Sequence, residues 1–169
     1  MPRAARTPET GRGPGAAPLS PADRRGITLA LAEARAAAAR GEVPVGAVVI
    51  GAGDAVLGAA HNETLGRRDP TAHAELLALH QALARVGSDR LPDCTLFVTL
   101  EPCAQCAGAI VLTKLGRLVF GAYDEKAGMC GSVGDLVRHP ALNHRVEVIG
   151  GVEAETSTEL LQAFFRERR

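Results

Sequence analysis

The chain has 169 residues, of which 46% are hydrophobic and 22% charged, and this is typical of one globular domain with its own core. A formal net charge of zero and a pI near 7.0 argue against a protein that coats nucleic acid by charge alone. No apolar run approaches the roughly 20 residues that span a bilayer, and no secretory signal follows the basic start. We therefore expect a cytoplasmic protein without membrane contact, whose cysteines bind metal rather than form disulfides.

The first 19 residues differ in composition from the rest of the chain. Seven prolines and glycines interrupt any helical or strand period: Pro2, Pro8, Gly11, Gly13, Pro14, Gly15 and Pro18. Alanine and arginine make up most of the remainder. We predict a disordered tail over residues 1–19 and one domain over residues 20–169.

The first predicted element is a helix from residue 20 to about residue 40. Ser20, Pro21 and Asp23 have the order of an N-cap, a first-position proline and an acid at the third position. Apolar residues recur at helical spacing on one face: Ile27, Leu31, Ala34 and Ala38. Gly41 then ends the helix.

Strands and helices alternate along the rest of the chain. Hydrophobic period and length predict strands at residues 45–50, 55–60, 95–100, 117–122 and 145–149. They predict a helix at residues 72–86 with Thr71 as its N-cap, and a helix at residues 103–114 with Pro102 at its first position. They also predict helices at about 133–138 and from a capping box at 156–159 to the end. A polar loop is expected at residues 61–70. Together these elements predict an α/β fold of three layers, with a five-stranded mixed sheet flanked by helices.

Two short motifs carry the chemistry. Residues 73–75 read H-x-E, and residues 102–106 read P-C-x-x-C. His73, Cys103 and Cys106 supply three ligands for a tetrahedral Zn²⁺ whose fourth position is left for water. The two cysteines are three residues apart at a predicted helix start, so they lie on one face. Motifs in this order are typical of zinc-dependent nucleobase deaminases.

Glu75 is not needed as a ligand and can therefore move protons. The expected mechanism is attack of a zinc-activated water on the amino-bearing ring carbon, with Glu75 as proton shuttle and ammonia as leaving group. A structural zinc is the alternative, and it needs a fourth ligand. The chain offers His61, His80, His139, His144, Cys94 and Cys130. His80 lies two helical turns from His73, roughly 10 Å along the axis, which is too far to share one ion.

From about residue 26 to residue 168 the chain resembles the bacterial tRNA-specific adenosine deaminases of the cytidine deaminase superfamily. The matching stretches are residues 43–47, 69–75, 99–110, 131–132, 143–147 and 164–166. The resemblance implies a cytidine-deaminase-like fold, a homodimer and one Zn²⁺ per subunit. It also implies that the wobble adenosine of a tRNA anticodon is converted to inosine.

The resemblance implies a role for individual residues. His73, Cys103 and Cys106 bind zinc, and Glu75 is the proton shuttle. Asn62 hydrogen-bonds the flipped base. Contacts with the tRNA anticodon loop come from the loop at residues 124–132 and from the last helix: Asp124, Phe164, Phe165 and Arg166.

Other interpretations stay open at this point. Phe164 and Phe165 could pack in the core instead of stacking on bases. The zinc motif is also found in small-molecule guanine and cytosine deaminases. A non-catalytic RNA- or protein-binding homologue is a third possibility, but Glu75 argues against it because a silent protein needs no proton shuttle.

Overall fold

The computed structural model describes residues 18–169. Its helices are α1 Pro21–Ala39, α2 Thr64–Arg67, α3 Ala74–Val86, α4 Ala104–Leu112 and α5 Ala154–Arg166. Its strands are β1 Gly46–Ile50, β2 Val56–His61, β3 Thr95–Leu100, β4 Arg117–Ala122 and β5 Glu147–Ile149. The predicted tail lies outside the described residues, apart from Pro18 and Leu19. Within that described part, no helix is both long and apolar enough to cross a membrane.

The five strands form one sheet in the order β2-β1-β3-β4-β5. β1 is antiparallel to both β2 and β3, whereas β3, β4 and β5 are mutually parallel along the sheet. The short segment 51–55 joins β1 to β2 as a hairpin. The predicted five-stranded mixed sheet is confirmed.

Helices cover both faces of the sheet. On one face, Leu79 of α3 and Ile110 of α4 pack in a core with Leu118 and Phe120 of β4. On the other face, α1 lies against β1 and β3, and α5 lies against β4. Val119 points to this second core, as the alternation of a strand requires. The predicted three layers are therefore confirmed.

Two glycines let helices approach the hairpin closely. A Cβ atom on Gly46 would lie 2.1 Å from the carbonyl oxygen of Ala30 in α1. A Cβ atom on Gly58 would lie 2.2 Å from the carbonyl oxygen of Ala78 in α3. Since no side chain fits at either position, the helices rest directly on β1 and β2, and this fixes where α3 begins.

The start of α1 agrees with the sequence. The hydroxyl of Ser20 accepts a hydrogen bond from the backbone N–H of Asp23, and the Asp23 carboxylate accepts one from the N–H of Ser20. Asp23 also binds both terminal nitrogens of Arg117 at the start of β4. The Arg117 guanidinium holds the pKa of the buried Asp23 carboxyl below its ordinary value of 3.8.

We expect Asp23→Asn to lower the free energy of unfolding at pH 7 by about 1–3 kcal/mol, because hydrogen bonds to a charged group are lost. A carboxyl with a depressed folded pKa stabilises the fold above its unfolded pKa, and this stabilisation is lost as pH falls through the folded pKa. The deficit should therefore shrink as pH falls below about 5 and disappear only below the folded pKa of Asp23, which is lower than 3.8. Urea unfolding at several pH values measures it, with the exposed Asp89→Asn as control. A loss of stability in Asp23→Asn that does not change with pH would contradict the conclusion that the charge of Asp23 stabilises the fold.

Helix α3 begins two residues later than predicted. Its N-cap is His73, and the predicted cap Thr71 belongs to the preceding turn. There its backbone N–H and its hydroxyl both donate to Oδ1 of Asp69, at 2.8 and 2.6 Å. Helix α4 likewise has Cys103 as its N-cap, so Pro102 precedes the helix instead of opening it.

Three further predictions about elements are wrong. The segment 133–138 is not a helix, because Cys130 and Asp135 pair as an isolated β-bridge and close a turn. Helix α5 begins at Ala154, ahead of the predicted capping box, so that Ser157 lies inside it. The polar loop at 61–70 contains α2.

Candidate metal centre and active site

Two helix starts meet at one end of the sheet. His73 precedes the first residue of α3, and Cys103 holds the same position before α4. Both residues have extended backbone, with ψ of 148° and 178°, and neither side chain caps its own helix. Their side chains therefore remain available to each other, as the two motifs predicted.

The three predicted ligands are brought together. Nδ1 of His73 lies 3.6 Å from Sγ of Cys103 and 3.5 Å from Sγ of Cys106. All three ligand atoms lie within 4.8 Å of one another. Cys106 is buried in the first turn of α4, while His73 and Cys103 are half-buried. One imidazole and two sulfurs thus converge on a single point that keeps some access to solvent.

The cluster is strongly coupled electrostatically. Hydrogen bonds with Cys106 and His73 lower the pKa of the Cys103 thiol to about 3. The Cys103 sulfur in turn raises the pKa of His73. It also raises the pKa of the Cys106 thiol, with burial acting in the same direction. Two sulfurs this close favour only one negative charge between them unless a cation is present.

This set of donors fits a metal ion. A divalent cation stabilises both thiolates and takes up a neutral imidazole, which relieves the repulsion between the sulfurs. Two sulfurs and one nitrogen are the ligands that zinc accepts, and three protein ligands leave a position for a further group. The cluster can therefore hold a metal ion in an open site.

Glu75 lies in the first turn of α3, two residues from His73, and only 4% of its surface is exposed. Burial raises the pKa of its carboxyl to about 7, although the nearby His73 opposes this shift. The pKa of Glu75 also responds to Cys103 and Cys106, so the carboxyl faces the ligand cluster. A buried acid of this pKa can both accept and donate a proton near neutral pH.

Asn62 is held against the start of α3. Its side-chain Oδ1 accepts a hydrogen bond of 2.9 Å from the backbone N–H of Ala74, and its own N–H donates to the carbonyl of Val45. Because Oδ1 is used in this way, the orientation of the amide is fixed. The NH₂ group of Asn62 is then left as the hydrogen-bond donor of the side chain.

The chain matches the family model of the MafB19-like deaminases over residues 23–169. It is 44% identical over 140 residues to the tRNA-specific adenosine deaminase of Bacillus subtilis, covering 83% of this chain and 86% of that protein. The chain belongs to the tRNA-specific adenosine deaminase family. Among the relatives from other bacteria, the enzyme of Aquifex aeolicus is 42% identical, covering 85% of this chain and 93% of that protein.

Solved structures agree with this assignment to the tRNA-specific adenosine deaminase family. A structure from work on A-to-I editing by tRNA:A34 deaminases at the wobble position has a TM-score of 0.78 and 39% identity, covering 82% of this chain and 99% of that one. The guanine deaminase of Bacillus subtilis is less similar, with a TM-score of 0.57 and 27% identity over 85% of this chain and 93% of that one. The cytidine-deaminase-like fold predicted from the sequence is confirmed.

The two phenylalanines expected to contact RNA lie in different environments. Phe164 is 5% exposed and packs inside the protein, whereas Phe165 is 50% exposed. The guanidinium of Arg168 lies 3.7 Å from the centre of the Phe164 ring and donates to the carbonyl of Gly41. Phe164 and Arg168 therefore hold the end of α5 against the body of this deaminase, and of the two phenylalanines Phe165 is the one exposed to solvent.

An open cleft of about 670 Å³ lies between α5 and the loop at residues 124–132. We call it the basic cleft, and its lining residues are Lys126, Thr158, Leu161, Gln162, Phe165, Arg166, Arg168 and Arg169. Asp124 shapes the loop side, because its Oδ1 accepts hydrogen bonds from the N–H groups of Lys126 and Ala127. Four cationic side chains and one exposed aromatic ring thus share one surface.

Two residues that organise the site were not predicted. Nε2 of Gln105 donates to the carbonyl of Thr71 at 3.1 Å, which ties α4 to the turn that carries His73. Glu101 is a buried carboxylate between β3 and Cys103. An acid placed between an apolar strand and the P-C-x-x-C motif was the available signal for Glu101. Gln105 has no signal beyond its place in the motif.

Proposed function

We propose that this protein is a hydrolase that converts the wobble adenosine of a tRNA anticodon to inosine and releases ammonia. The observation that carries the proposal is the buried Glu75 facing the His73–Cys103–Cys106 cluster. Membership of the tRNA-specific adenosine deaminase family supports the choice of substrate.

His73, Cys103 and Cys106 are assigned as the ligands of one Zn²⁺ per subunit. The supporting facts are the convergence of the three donor atoms and the low pKa of the Cys103 thiol. Zinc, when bound, supplies the Lewis acidity that makes water nucleophilic near neutral pH. Gln105 and the N-cap positions of the two ligands keep the donors in place without further ordering of the chain.

Glu75 moves the protons of the reaction. It takes one from the attacking water as the oxygen forms a bond to C6 of adenine, and it gives one to the ring nitrogen N1. The second proton of that water, now on the oxygen bound to C6, goes to the exocyclic amine as the C6–N bond breaks and the C6 carbonyl forms, so that the products are inosine and ammonia. Its pKa of about 7 suits a group that must act as base and then as acid.

Asn62 is assigned to the recognition of the flipped base. Its Oδ1 accepts the N–H of Ala74, so its NH₂ group is the donor left for a ligand. A donor at this place pairs with an acceptor atom on the edge of a purine. Bases in an anticodon loop can be splayed out in this way, because they are not held in a duplex.

The basic cleft is assigned to the anticodon loop. Lys126 and Arg166 suit phosphate groups, and Phe165 suits the face of an unstacked base. Asp124 acts by shaping the loop that carries Lys126. Phe164, which is buried, supports the helix and is not assigned a contact with RNA.

The test uses an unmodified tRNA whose anticodon begins with adenosine, incubated with purified, zinc-loaded protein. We expect inosine at that position and no turnover of free guanine, cytosine or adenosine. Glu75→Gln protein serves as the blank. Guanine turnover without inosine in tRNA would favour the runner-up, a guanine deaminase, which is supported by the weaker similarity to solved guanine deaminases such as that of Bacillus subtilis.

We also propose that the protein acts as a homodimer. The outer face of α4 carries no charged residue, and Leu112 on that face is 77% exposed. Gly108 lies on the same helix, and a Cβ added there would meet no atom within 4 Å in the described part of the chain. Glycine destabilises a helix by about 1 kcal/mol relative to alanine. Its presence at position 108 is explained if a second copy of the protein approaches the backbone of α4 closely there.

Leu112→Asp should convert the dimer to monomers. A charge placed in an apolar contact should weaken the dimer by more than about 100-fold, because it loses its hydration there. Size-exclusion chromatography with light scattering at micromolar protein measures the mass. Ala32→Asp is the control, since Ala32 is exposed on α1 on the opposite face of the sheet. A dimer that survives Leu112→Asp would place the interface elsewhere.

Residues 20–169 are proposed as the deaminase domain. The start of α1 at Pro21 and the family match from residue 23 support that boundary. A cytoplasmic location belongs to the same proposal. It is supported by the tRNA substrate named for the relatives, and by all four cysteines, which lie within the described residues and are free thiols suited to a reducing compartment.

A further inference from the structure

The carboxylate of Glu101 is 2% exposed and accepts its side-chain hydrogen bonds from the loop at residues 124–132. Oε1 accepts from the backbone N–H groups of Cys130 and Ser132, both at 3.0 Å. Oε2 accepts from the N–H of Asp124 at 3.0 Å and from the hydroxyl of Ser132. A buried carboxylate needs such partners, and one loop supplies four of them.

The residues around Glu101 hold the same loop. The carbonyl of Pro102 accepts a hydrogen bond of 2.9 Å from the N–H of Met129. A Cβ on Gly128 would lie 2.4 Å from the Glu101 carboxylate, so the loop backbone rests directly on it. Cys103 follows immediately. The loop is therefore anchored on the two residues that precede a predicted metal ligand.

We propose that Glu101 is a positioning residue, which seats the 124–132 loop so that Lys126 forms one wall of the basic cleft. The proposal rests on the proposed function for its RNA readout. The loop spans from Asp124 to Ser132, and the N–H groups of Asp124, Cys130 and Ser132 converge on one carboxylate. Only one position of the loop satisfies all four bonds, so loss of the carboxylate frees the whole loop.

The consequence falls on substrate binding more than on chemistry. Lys126 is exposed in the loop and opposes Arg166 and Phe165 across the cleft. If the loop is loosened, Lys126 no longer lies where it can contact the RNA, and the KM for the tRNA rises. The ligand cluster and Glu75 lie on α3 and α4, which keep their own contacts, so kcat at saturating tRNA and metal content should stay nearly unchanged.

The test is Glu101→Gln, in which an NH₂ donor replaces one acceptor oxygen and faces N–H groups. Limited trypsin digestion, read by mass spectrometry as cleavage after Lys126, reports on the loop without any RNA. We expect cleavage there to become about tenfold faster and KM for the tRNA to rise about tenfold. Zinc content and kcat should change less than about twofold.

Glu42→Gln is the matched control. Glu42 is also a buried carboxylate, and it accepts hydrogen bonds from the N–H groups of Leu65 and Gly66 in α2 at 3.1 and 2.6 Å. The same chemical change there should leave cleavage after Lys126 at the wild-type rate. Gly128→Ala is the second variant, because it keeps the carboxylate but forces the loop off it, and it should reproduce the Glu101→Gln result.

Each outcome bears on the proposal. Wild-type cleavage after Lys126 in both Glu101→Gln and Gly128→Ala would overturn it. A fall in kcat with loss of zinc would also overturn it, because Glu101 would then act through the metal centre. If the wild-type protein makes no inosine in tRNA, the proposed function fails, but the cleavage assay still decides whether Glu101 seats the loop. Should Glu101→Gln not fold, Gly128→Ala carries the test.

Discussion

Glu75→Gln protein should form inosine at a rate about 10²–10⁴-fold below wild type, with its zinc content unchanged. The amide has nearly the shape of the carboxyl group but cannot take a proton from water. Since Glu75 faces the ligand cluster without being one of its members, the donors His73, Cys103 and Cys106 are left intact.

Single-turnover kinetics on saturating tRNA separate this loss from a change in binding, and elemental analysis gives the metal content. Glu155→Gln, at an exposed position near the start of α5, is the control for the chemical change alone. Full activity in Glu75→Gln would contradict the role of Glu75 as proton shuttle. Loss of zinc in that variant would instead mean that Glu75 supports the metal, and the kinetic result would need another explanation.

The neutral amide should not destabilise the protein. Burial raises the pKa of Glu75, so its charged form is disfavoured by the fold. Replacing it by glutamine removes a buried group that is costly to ionise, and active sites often store such costs. We therefore expect an unchanged or raised melting temperature in Glu75→Gln, and a large fall would mean that the carboxyl group stabilises the fold.

Motif spacing predicted each half of the ligand cluster because each half is local. The meeting of His73 with the two cysteines, 30 and 33 residues further along the chain, is not local and was indicated by the order of the two motifs. Cys103 and Cys106 are one turn apart, and His73 and Glu75 share one helix start. What the sequence did not give was the first helical residue of α3 and of α4. Propensity favoured Thr71 and Pro102 as helix starts, but the ligands themselves occupy the N-cap positions, with extended backbone that points their side chains at each other.

The 124–132 loop could not be predicted from period or composition. Its position depends on hydrogen bonds to Glu101, whose partners Cys130 and Ser132 lie 29 and 31 residues further along the chain. Hydrophobic periodicity reports only on residues that lie within a few turns of each other along the chain. The predicted helix at 133–138 is wrong for the same reason, since the backbone there bridges back to Cys130.

The helical period separates the environments of the two adjacent phenylalanines in α5 once the position of α5 against the rest of the protein is known. Neighbouring helical residues point about 100° apart, so Phe164 and Phe165 cannot both face the core. The sequence left core packing and RNA stacking as competing interpretations of both residues. In the structure Phe164 packs beneath Arg168, so core packing holds for this residue. Phe165 lines the basic cleft, and its stacking on RNA bases stays a prediction.

Cys106→Ala should abolish zinc binding and inosine formation together while the protein stays folded. Cys106 is a central donor of the cluster, and it is fully buried in the first turn of α4. Changes in groups that merely support a ligand cost about 10–100-fold in metal affinity, so loss of a ligand should cost more. Elemental analysis after dialysis, inosine formation and far-UV circular dichroism give the three readouts.

Cys94→Ala is the matched control, because Cys94 is another buried thiol, packed in the core on the α3 and α4 face. The Cys94→Ala protein undergoes the same chemical change at a different position, and it should keep its zinc and its activity. The comparison also decides between a catalytic and a structural metal. A structural zinc contributes folding energy outright, so Cys106→Ala protein would then unfold on losing it. The sheet and both cores form without any contribution from the ligand atoms apart from the packing of Cys106, so we expect the metal-free variant to keep its native circular dichroism.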